Sequence, residues 1–278
     1  MLTTRYIDRP VPTISLHDFD TRVDTVTADL VDAAENHGFF TIIDHGISRE
    51  SHNAGWEKNA QVRPSTGLPD RFREEALEFM HKVQSVSEKL MRYFAHGLGF
   101  EDEYLVRAHD VARPQSQTVC RLLYYFETPR APSVNGEVYH RAGAHADWDF
   151  LTLLFQKAGQ SGLEICPGRE VSTEFGYGDA WTKVEPDAER NAIVCNVGDL
   201  LMSWSDDSFK STFHRVKAPS EAGDFWGERY SIAYFNQPCK DARIQGKEKK
   251  YEMVTGEEFT KRAMERNYKA IQEKLVKA

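Results

Sequence analysis

The stretch Val119-Cys120-Arg121-Leu122-Leu123-Tyr124-Tyr125-Phe126 opens the part of the chain that decides the fold. It is the first of a series of short apolar runs that Gly, Pro, Asn and Asp separate. The later runs are Phe150 to Gln156, Leu163 to Cys166, Trp181 to Val184, Ala192 to Asn196, Leu200 to Trp204, Thr212 to Val216, and Tyr230 to Phe235. Short runs bounded by turn residues predict an antiparallel β-sandwich or jelly roll rather than alternating βαβ units.

Helical spacing of apolar residues flanks these runs on both sides. The segments Asp20 to Asn36 and Arg71 to His96 carry apolar residues three and four positions apart, which predicts two N-terminal helices. Gly256 to Ala278 has the same spacing. The expected fold is therefore mainly β with flanking helices. We expect a helical region at 1–117, a β core at 118–240 and a C-terminal helical segment at 241–278.

Composition narrows the class of partner. The chain has 278 residues and a formal net charge of -8, without a dense Lys/Arg block, which argues against nucleic acid or an anionic membrane as partner. The four cysteines form no CxxC pair, so neither a disulfide framework nor a zinc knuckle is expected. No window approaches the ~20 apolar residues of a membrane span. We expect a cytoplasmic protein that acts on a small molecule.

A His-x-Asp pair stands in Gly143-Ala144-His145-Ala146-Asp147. Residues two positions apart on a strand share one face, so both side chains can reach one metal ion. His214, in the run Thr212 to Val216, is the candidate third ligand. Two histidines and one carboxylate on one face of an octahedron leave positions open for substrate and oxygen, which is the geometry of non-haem iron(II) oxygenases.

A second pair follows the distal histidine. Arg229 and Ser231 are again two positions apart, in Arg229-Tyr230-Ser231. A guanidinium suits two-point binding of a carboxylate, and the serine hydroxyl can add a hydrogen bond. The order of the two pairs around His214 is what a metal site beside a dicarboxylate co-substrate requires.

Several ordered motifs together resemble the isopenicillin N synthase-like branch of the iron(II)/2-oxoglutarate-dependent dioxygenases. They are Pro12 to Leu16, Gly38-Phe39-Phe40, Asp44 to Ile47, Gly143 to Asp147, Gly162 to Ile165, Asn196 to Leu201, Thr212 to Val216, and Arg229 to Ser231. The resemblance implies a double-stranded β-helix core. It implies that His145, Asp147 and His214 ligate Fe(II), that Arg229 and Ser231 bind the distal carboxylate of 2-oxoglutarate, that O2 is consumed and that ascorbate supports activity.

The sequence departs from the family pattern at one strand. Many members have an Asn at the position of Leu123, where it contacts the metal-side carboxylate of the co-substrate, and leucine cannot make that contact. Arg121 lies on the same strand face and either supplies the contact, as in the ethylene-forming branch that the chain also resembles, or forms a structural salt bridge. The stretch from Ser48 to Arg71 is also shorter than the resemblance implies.

The residues around the His-x-Asp pair bear on the substrate. Trp148 and Phe213 either belong to the core or shape an apolar pocket, and Arg141 is either a salt-bridge residue at the rim or a substrate anchor. Asp149 is expected to form hydrogen bonds rather than ligate the metal. The resemblance is nearest to natural-product oxygenases that hydroxylate an aromatic polyketide, some with ring expansion.

Two other classes remain open. A non-catalytic β-helix binding protein would not need the complete ligand set and the arginine. A cupin-like zinc or manganese hydrolase could use a similar His/Asp set but has no use for the Arg-x-Ser pair. Within the oxygenases, an ethylene-forming reaction is the alternative to hydroxylation.

Overall fold

A computed structural model of the chain describes residues 5–51, 71–128, 133–134, 137–138, 140–170 and 180–277. Most of the short stretch between Ser48 and Arg71 lies outside these residues. Within the described part, no helix is both long and apolar enough to cross a membrane.

Helices stand where the apolar spacing predicts them. They are α1 Val23–Asn36, α2 Phe72–Gly97, α3 Glu103–Ala108, α4 Asp199–Trp204 and α5 Gly256–Lys277. The first begins later than expected, because Asp20 lies in a short 3-10 helix, Phe19–Thr21, that follows a left-handed residue, Asp18, with φ 48°. The buried residues Val83, Val86, Leu90 and Phe94 form one face of α2. That face packs into the main hydrophobic core.

The strands form two principal sheets. They are β1 Arg5–Tyr6, β2 Thr13–Ser15, β3 Phe39–Ile43, β4 Val119–Tyr125, β5 Ser133–Val134, β6 Glu137–Val138, β7 Ala142–His145, β8 Leu151–Gln156, β9 Leu163–Glu170, β10 Ala180–Lys183, β11 Ile193–Val197, β12 Thr212–Val216, β13 Arg229–Asn236, β14 Arg243–Ile244 and β15 Val254–Thr255. The large sheet has the order β2-β3-β11-β8-β13-β4, and the small sheet has the order β1-β10-β9-β12-β7. The expectation of a mainly β chain with flanking helices is confirmed.

The large sheet lies between the helices and the small sheet. Tyr230, Ile232 and Tyr234 of β13 belong to the same buried cluster as the helices α1 and α2. A second cluster joins Phe39 and Val194 of the large sheet to Leu163 and Ile165 of the small one. The two sheets therefore pack against each other on the side of the large sheet that faces away from the helices.

One apolar run was predicted wrongly. Leu200 to Trp204, expected as a strand, lies in the helix α4. The backbone N–H groups of Asp199 and Leu200 at its start donate to the carbonyl oxygens of Asp147 (2.8 Å) and Asp149 (3.1 Å). A five-residue apolar run carries too little periodicity to separate a buried strand from a buried helix turn, so the tertiary contacts decide.

One face of β13 carries Arg229, Ser231, Ala233 and Phe235, and it is called the inner face here. Antiparallel partners on β4 share this face, and they pair as Arg229 with Tyr125, Ser231 with Leu123, Ala233 with Arg121, and Phe235 with Val119. On the other side, β8 pairs Gln156 with Ser231 and Thr152 with Phe235. The predicted Arg-x-Ser pair and Arg121 therefore lie on one surface, and Thr152 connects that surface to Asp147 by a hydrogen bond.

Candidate active site

The three predicted metal ligands come together, and we call them the metal corner. His145 ends β7 and His214 lies in β12, and the antiparallel register places these two residues directly opposite each other. Asp147 follows in the turn after β7. One ligand atom from each residue lies within 4.8 Å of the others. The Nε2 atoms of His145 and His214 are each 3.7 Å from an oxygen of Asp147, so all three groups converge on one point.

Hydrogen bonds set the tautomer of both histidines. Nδ1 of His145 lies 2.7 Å from the carbonyl oxygen of Gly143, and Nδ1 of His214 lies 3.4 Å from that of Thr212. A carbonyl oxygen can only accept, so Nδ1 carries a proton, and in the neutral tautomer the lone pair is on Nε2, the atom nearest to Asp147. Burial lowers the pKa of His214 to about 4, which keeps this ring neutral at physiological pH.

The carboxylate of Asp147 is oriented by two donors. The Nδ2 group of Asn196 donates to Oδ2 over 2.9 Å, and the hydroxyl of Thr152 donates to the same oxygen over 2.6 Å. Burial alone would raise the pKa of Asp147, but the two neighbouring histidines and these hydrogen bonds outweigh it, and the pKa lies below its ordinary value. An ionised carboxylate beside the neutral imidazole of His214 is a protonation state that binds a divalent cation.

Asp149 supports this arrangement. Its pKa is raised well above the ordinary value by burial and then by the charge of Asp147. Asp149 Oδ2 lies 2.8 Å from the Thr152 hydroxyl, which has only one hydrogen to give. A protonated Asp149 donates to Thr152, and Thr152 donates to Asp147, so one chain of hydrogen bonds uses both contacts. This agrees with the hydrogen-bonding role predicted for Asp149.

A glycine makes the turn after β7 possible. A Cβ atom on Gly198 would lie 2.1 Å from the carbonyl oxygen of Asp149. The backbone of the 147–149 turn therefore lies directly against the start of α4. No side chain larger than hydrogen fits at Gly198 without moving Asp149.

The second predicted pair lies at the other end of the inner face, here called the arginine corner. Arg229 is 1% exposed, and its guanidinium donates to Ser231 Oγ (3.4 Å) and Gln156 Oε1 (3.0 Å). The ring of Tyr125 lies 5.3 Å from its Cζ atom. Burial lowers the pKa of Arg229 to about 10, so the group stays protonated at neutral pH. Within the described part of the chain, no carboxylate forms an ion pair with it.

A cavity of about 570 Å³ opens beside the metal corner. Its walls come from β4, the turn after β7, the end of β13 and the helix α5. The lining residues are Gln117, Val119, Arg121, His145, Ala146, Asp147, Trp148, Asp149, Phe235, Gln237, Thr260 and Asn267. Trp148 and Arg121 both line the cavity, and the Arg121 guanidinium lies over the ring of Phe235 at 5.4 Å.

Two predicted pocket residues lie elsewhere. Phe213 alternates with His214 along β12, so its side chain emerges from the opposite face, and it is not among the residues lining the cavity. Arg141 donates to the carbonyl oxygens of Gly227 (2.7 Å) and Trp226 (3.3 Å). Among the described residues it has no acidic partner, so the salt-bridge interpretation is not supported there.

Sequence reasoning missed the residues that orient the site. Thr152 and Gln156 sit inside an apolar run and looked like core positions. Asn196 precedes Gly198-Asp199 in a motif that the resemblance already contained, which was the available signal. The contribution of α5 to the cavity wall has no local signature, because Thr260 and Asn267 are ordinary polar residues on an amphipathic helix.

Part of the chain matches a known family of enzymes. Residues 117–238 match the 2OG-Fe(II) oxygenase superfamily. The match covers less than half of the chain, and over this span the chain is similar to the superfamily. This match, the relatives below and the three-ligand metal corner together indicate an iron(II)/2-oxoglutarate-dependent oxidoreductase that uses Fe(II), 2-oxoglutarate and O2.

Relatives of this oxygenase span much of its length. It is 28% identical over 260 residues to 1-aminocyclopropane-1-carboxylate oxidase 2 of Doritaenopsis sp., covering 77% of this chain and 73% of the relative. It is 30% identical over 216 residues to the 2-oxoglutarate-Fe(II) type oxidoreductase hxnY of Emericella nidulans, covering 74% of this chain and 55% of the relative.

Solved structures share the fold. A full-length Neurospora crassa protein in complex with alpha-KG has a TM-score of 0.74 and 24% identity, covering 91% of this chain and 95% of that one. The dioxygenase for auxin oxidation in rice has a TM-score of 0.68 and 18% identity, covering 93% and 96%. At these identities the likeness concerns the fold alone.

Proposed function

We propose that the chain is a dioxygenase that oxidises a small organic substrate in the cavity beside the metal corner. His145, Asp147 and His214 ligate the iron, and Arg229 with Ser231 binds the distal carboxylate of 2-oxoglutarate. One observation carries the proposal. A complete two-histidine, one-carboxylate set lies beside the same inner face as a buried guanidinium that has no acidic partner among the described residues.

The metal corner fits iron(II) by its chemistry. It offers two imidazole nitrogens and one carboxylate oxygen, the set that leaves coordination positions open in non-haem iron oxygenases. A structural zinc site would have four protein ligands, and within the described part of the chain the group has three. The hydrogen bonds to both imidazoles and to the carboxylate hold the donor atoms in their metal-binding orientation.

The arginine corner fits a carboxylate. Burying a cation costs several kcal/mol unless an anion or hydrogen bonds compensate, and Arg229 has two neutral acceptors and an aromatic ring. Its Nε atom is buried without a partner among the described residues. A planar guanidinium with an unused donor can bind a carboxylate with two hydrogen bonds.

Arg121 is the proposed contact for the metal-side carboxylate. Arg121 pairs with Ala233, which is four residues from Arg229 on β13 and therefore roughly 13 Å along the strand at ~3.3 Å per residue. Two long side chains that start this far apart can meet opposite ends of a five-carbon dicarboxylate. The small side chains of Ser231 and Ala233 lie between them on the inner face and leave space for the molecule.

Bound iron and 2-oxoglutarate would supply the oxidising chemistry with O2 as oxidant: one oxygen atom would enter succinate as CO2 leaves, and the other would enter the C–H group. The residues of the chain bind the iron and 2-oxoglutarate, orient the groups that hold them, and shield the site from water. Asn196 and Thr152 fix Asp147, Gln156 and Ser231 fix Arg229, and Trp148 with Phe235 forms an apolar wall. A hydroxylated product is expected, and ring expansion is a variant of the same chemistry.

For the substrate, we propose a small ring-bearing natural product of the aromatic polyketide type, which the sequence resemblance suggested and which suits the aromatic cavity wall. None of the relatives described above is named for such a compound. The second candidate is an ethylene-forming oxygenase, favoured by the position of Arg121 in the cavity.

The remaining expectations stay proposals. They are a double-stranded β-helix core, the division into 1–117, 118–240 and 241–278, and a cytoplasmic location. The superfamily match at residues 117–238 supports both bounds of the proposed 118–240 region. The two packed sheets support the proposed double-stranded β-helix core.

A substrate panel under iron(II), ascorbate and 2-oxoglutarate tests the function. Succinate release, product mass and headspace gas are measured together. Succinate that depends on iron and rises with an aromatic substrate supports the main proposal, and ethylene without added substrate supports the second. Hydrolysis with zinc or manganese and no succinate would overturn both.

A further inference from the structure

Two residues that line the cavity each carry a buried polar atom without a hydrogen bond from the described residues. The two atoms are Oε1 of Gln237 and Oγ1 of Thr260. Both residues line the cavity beside the metal corner, and Gln237 as a whole is 6% exposed. Neither belongs to the metal corner or the arginine corner.

The backbone around Gln237 is held firmly. Its N–H group lies 3.2 Å from Thr118 Oγ1, and its carbonyl oxygen lies 3.1 Å from the same hydroxyl. The side-chain amide of Gln117 donates to the next carbonyl, that of Pro238, over 2.9 Å. The unpartnered side-chain oxygen therefore belongs to a fixed segment.

The helix α5 is also held in place. Arg266 donates to Asp199 Oδ2 over 2.5 Å, and the backbone N–H of Asp199 donates to the carbonyl oxygen of Asp147. Ala263, which shares the face of α5 with Thr260 and Asn267, is 2% exposed. The helix thus presents Thr260 to the cavity from a position tied to the metal corner.

We propose that Gln237 and Thr260 are specificity-determining residues that bind an O–H or N–H donor on the substrate. The proposal rests on the proposed function and names the substrate class of the same cavity. A buried polar atom without a partner destabilises the protein, and a ligand that supplies the missing hydrogen bond recovers this free energy. An amide oxygen can only accept a hydrogen bond, so the complementary group is a donor.

The rest of the wall defines the body of the substrate. Val119, Trp148 and Phe235 are apolar and two of them are aromatic, which favours a ring. The substrate class is therefore a cyclic or aromatic compound with a hydroxyl or ring N–H, such as a phenol, an enol or an N–H heterocycle. A methyl ether of the same shape lacks the donor and should bind less well.

Matched pairs of probes test this. Equilibrium dialysis measures how tightly the parent protein, without 2-oxoglutarate, binds para-cresol and a methylnaphthol. The methyl ether of each phenol is measured in parallel. The phenols should bind about tenfold more tightly than the ethers. Gln237→Leu should bring this preference to within about twofold, and Thr260→Val should reduce it less. Gln237→Glu keeps an acceptor and should retain the preference.

Thr27→Val is the control, because Thr27 Oγ1 is likewise buried without a partner among the described residues but lies on α1, away from the cavity. It should leave the preference unchanged. Circular dichroism checks that each variant folds. Equal binding of phenols and ethers, binding of neither, or an unchanged preference in a folded Gln237→Leu protein would overturn the proposal. Iron-dependent binding of 2-oxoglutarate, measured separately on the parent protein, tests the proposed function. The proposed function and the proposed role of Gln237 and Thr260 can therefore fail independently.

Discussion

The metal corner and the arginine corner differ in how completely the protein balances its own charges. At the metal corner, one ionised carboxylate sits between two imidazoles and accepts hydrogen bonds from Asn196 and Thr152. At the arginine corner, a buried guanidinium touches only neutral groups among the described residues. The first is organised for a cation before the cation arrives. The second is incomplete until an anion binds.

The difference predicts separable failures. Changes at the metal corner should remove the reaction, whereas changes at the arginine corner should weaken one co-substrate while leaving the metal in place.

The largest effect is expected at the ligands. His145→Ala, Asp147→Ala or His214→Ala should each abolish succinate formation while the melting temperature changes little, because ligands at an open site serve chemistry more than stability. Asp147→Glu should fail as well, since the carboxylate position tolerates only about 0.5 Å. Iron content and turnover are measured together. If a variant binds a full equivalent of iron and turns over at a near-normal rate, the substituted residue is not a metal ligand.

At the arginine corner, Arg229→Ala and Arg229→Lys should raise the 2-oxoglutarate requirement steeply. Losing one partner of a buried charged pair costs about 2–5 kcal/mol, which is roughly thirtyfold to several-thousandfold in affinity. Lysine cannot reproduce the planar two-bond contact. Arg107→Lys, at an exposed ion pair with Glu101, is the control. Unchanged co-substrate dependence in both Arg229 variants would refute the assignment of Arg229 and leave that of the metal intact.

The turn beneath the metal corner gives a smaller effect. Gly198→Ala should destabilise the protein by about 1–3 kcal/mol and weaken iron binding, because its Cβ would clash with the backbone of Asp149. Gly143→Ala is the matched control. Its Cβ meets no atom within 4 Å, although His145 is only two residues away. Denaturant melts and iron titrations compare the two, and equal behaviour would mean that the close approach at Gly198 is unimportant.

The smallest effect is expected at Arg121, which is exposed to the cavity. Arg121→Leu should weaken 2-oxoglutarate binding by roughly fivefold to thirtyfold and shift the visible iron-to-co-substrate charge-transfer band, because it acts beside the metal. Arg229→Lys should weaken binding with little change in that band. If Arg121 is instead structural, Arg121→Leu lowers the melting temperature while affinity and band match the parent.

The sequence predicted the elements that local pattern controls. The spacing of His145 and Asp147, and of Arg229 and Ser231, indicated that each pair shares one face of its strand. Which strands lie next to each other depends on strand pairing and register. The opposition of His214 and His145 could not be predicted from spacing, because it depends on how β12 pairs with β7.

Sequence reasoning failed where packing decides. Leu200 to Trp204 became a helix because its first amides bind the carbonyls of the 147–149 turn. For Phe213 the sequence left both a core and a pocket position open, and strand alternation places its side chain on the face opposite His214. Thr260 and Gln156 reach the cavity and the arginine corner through tertiary placement, which no local motif records.

The central claim is that one inner face joins a three-residue iron site to an arginine that holds 2-oxoglutarate. Its most direct test is anaerobic calorimetric titration of 2-oxoglutarate into the parent, His214→Ala and Arg229→Lys proteins, each with and without iron(II). We predict that the parent binds 2-oxoglutarate tightly only when iron is present. Tight binding should be lost in His214→Ala and should be at least thirtyfold weaker in iron-loaded Arg229→Lys. Equal 2-oxoglutarate affinity in all three proteins, with or without iron, would contradict it.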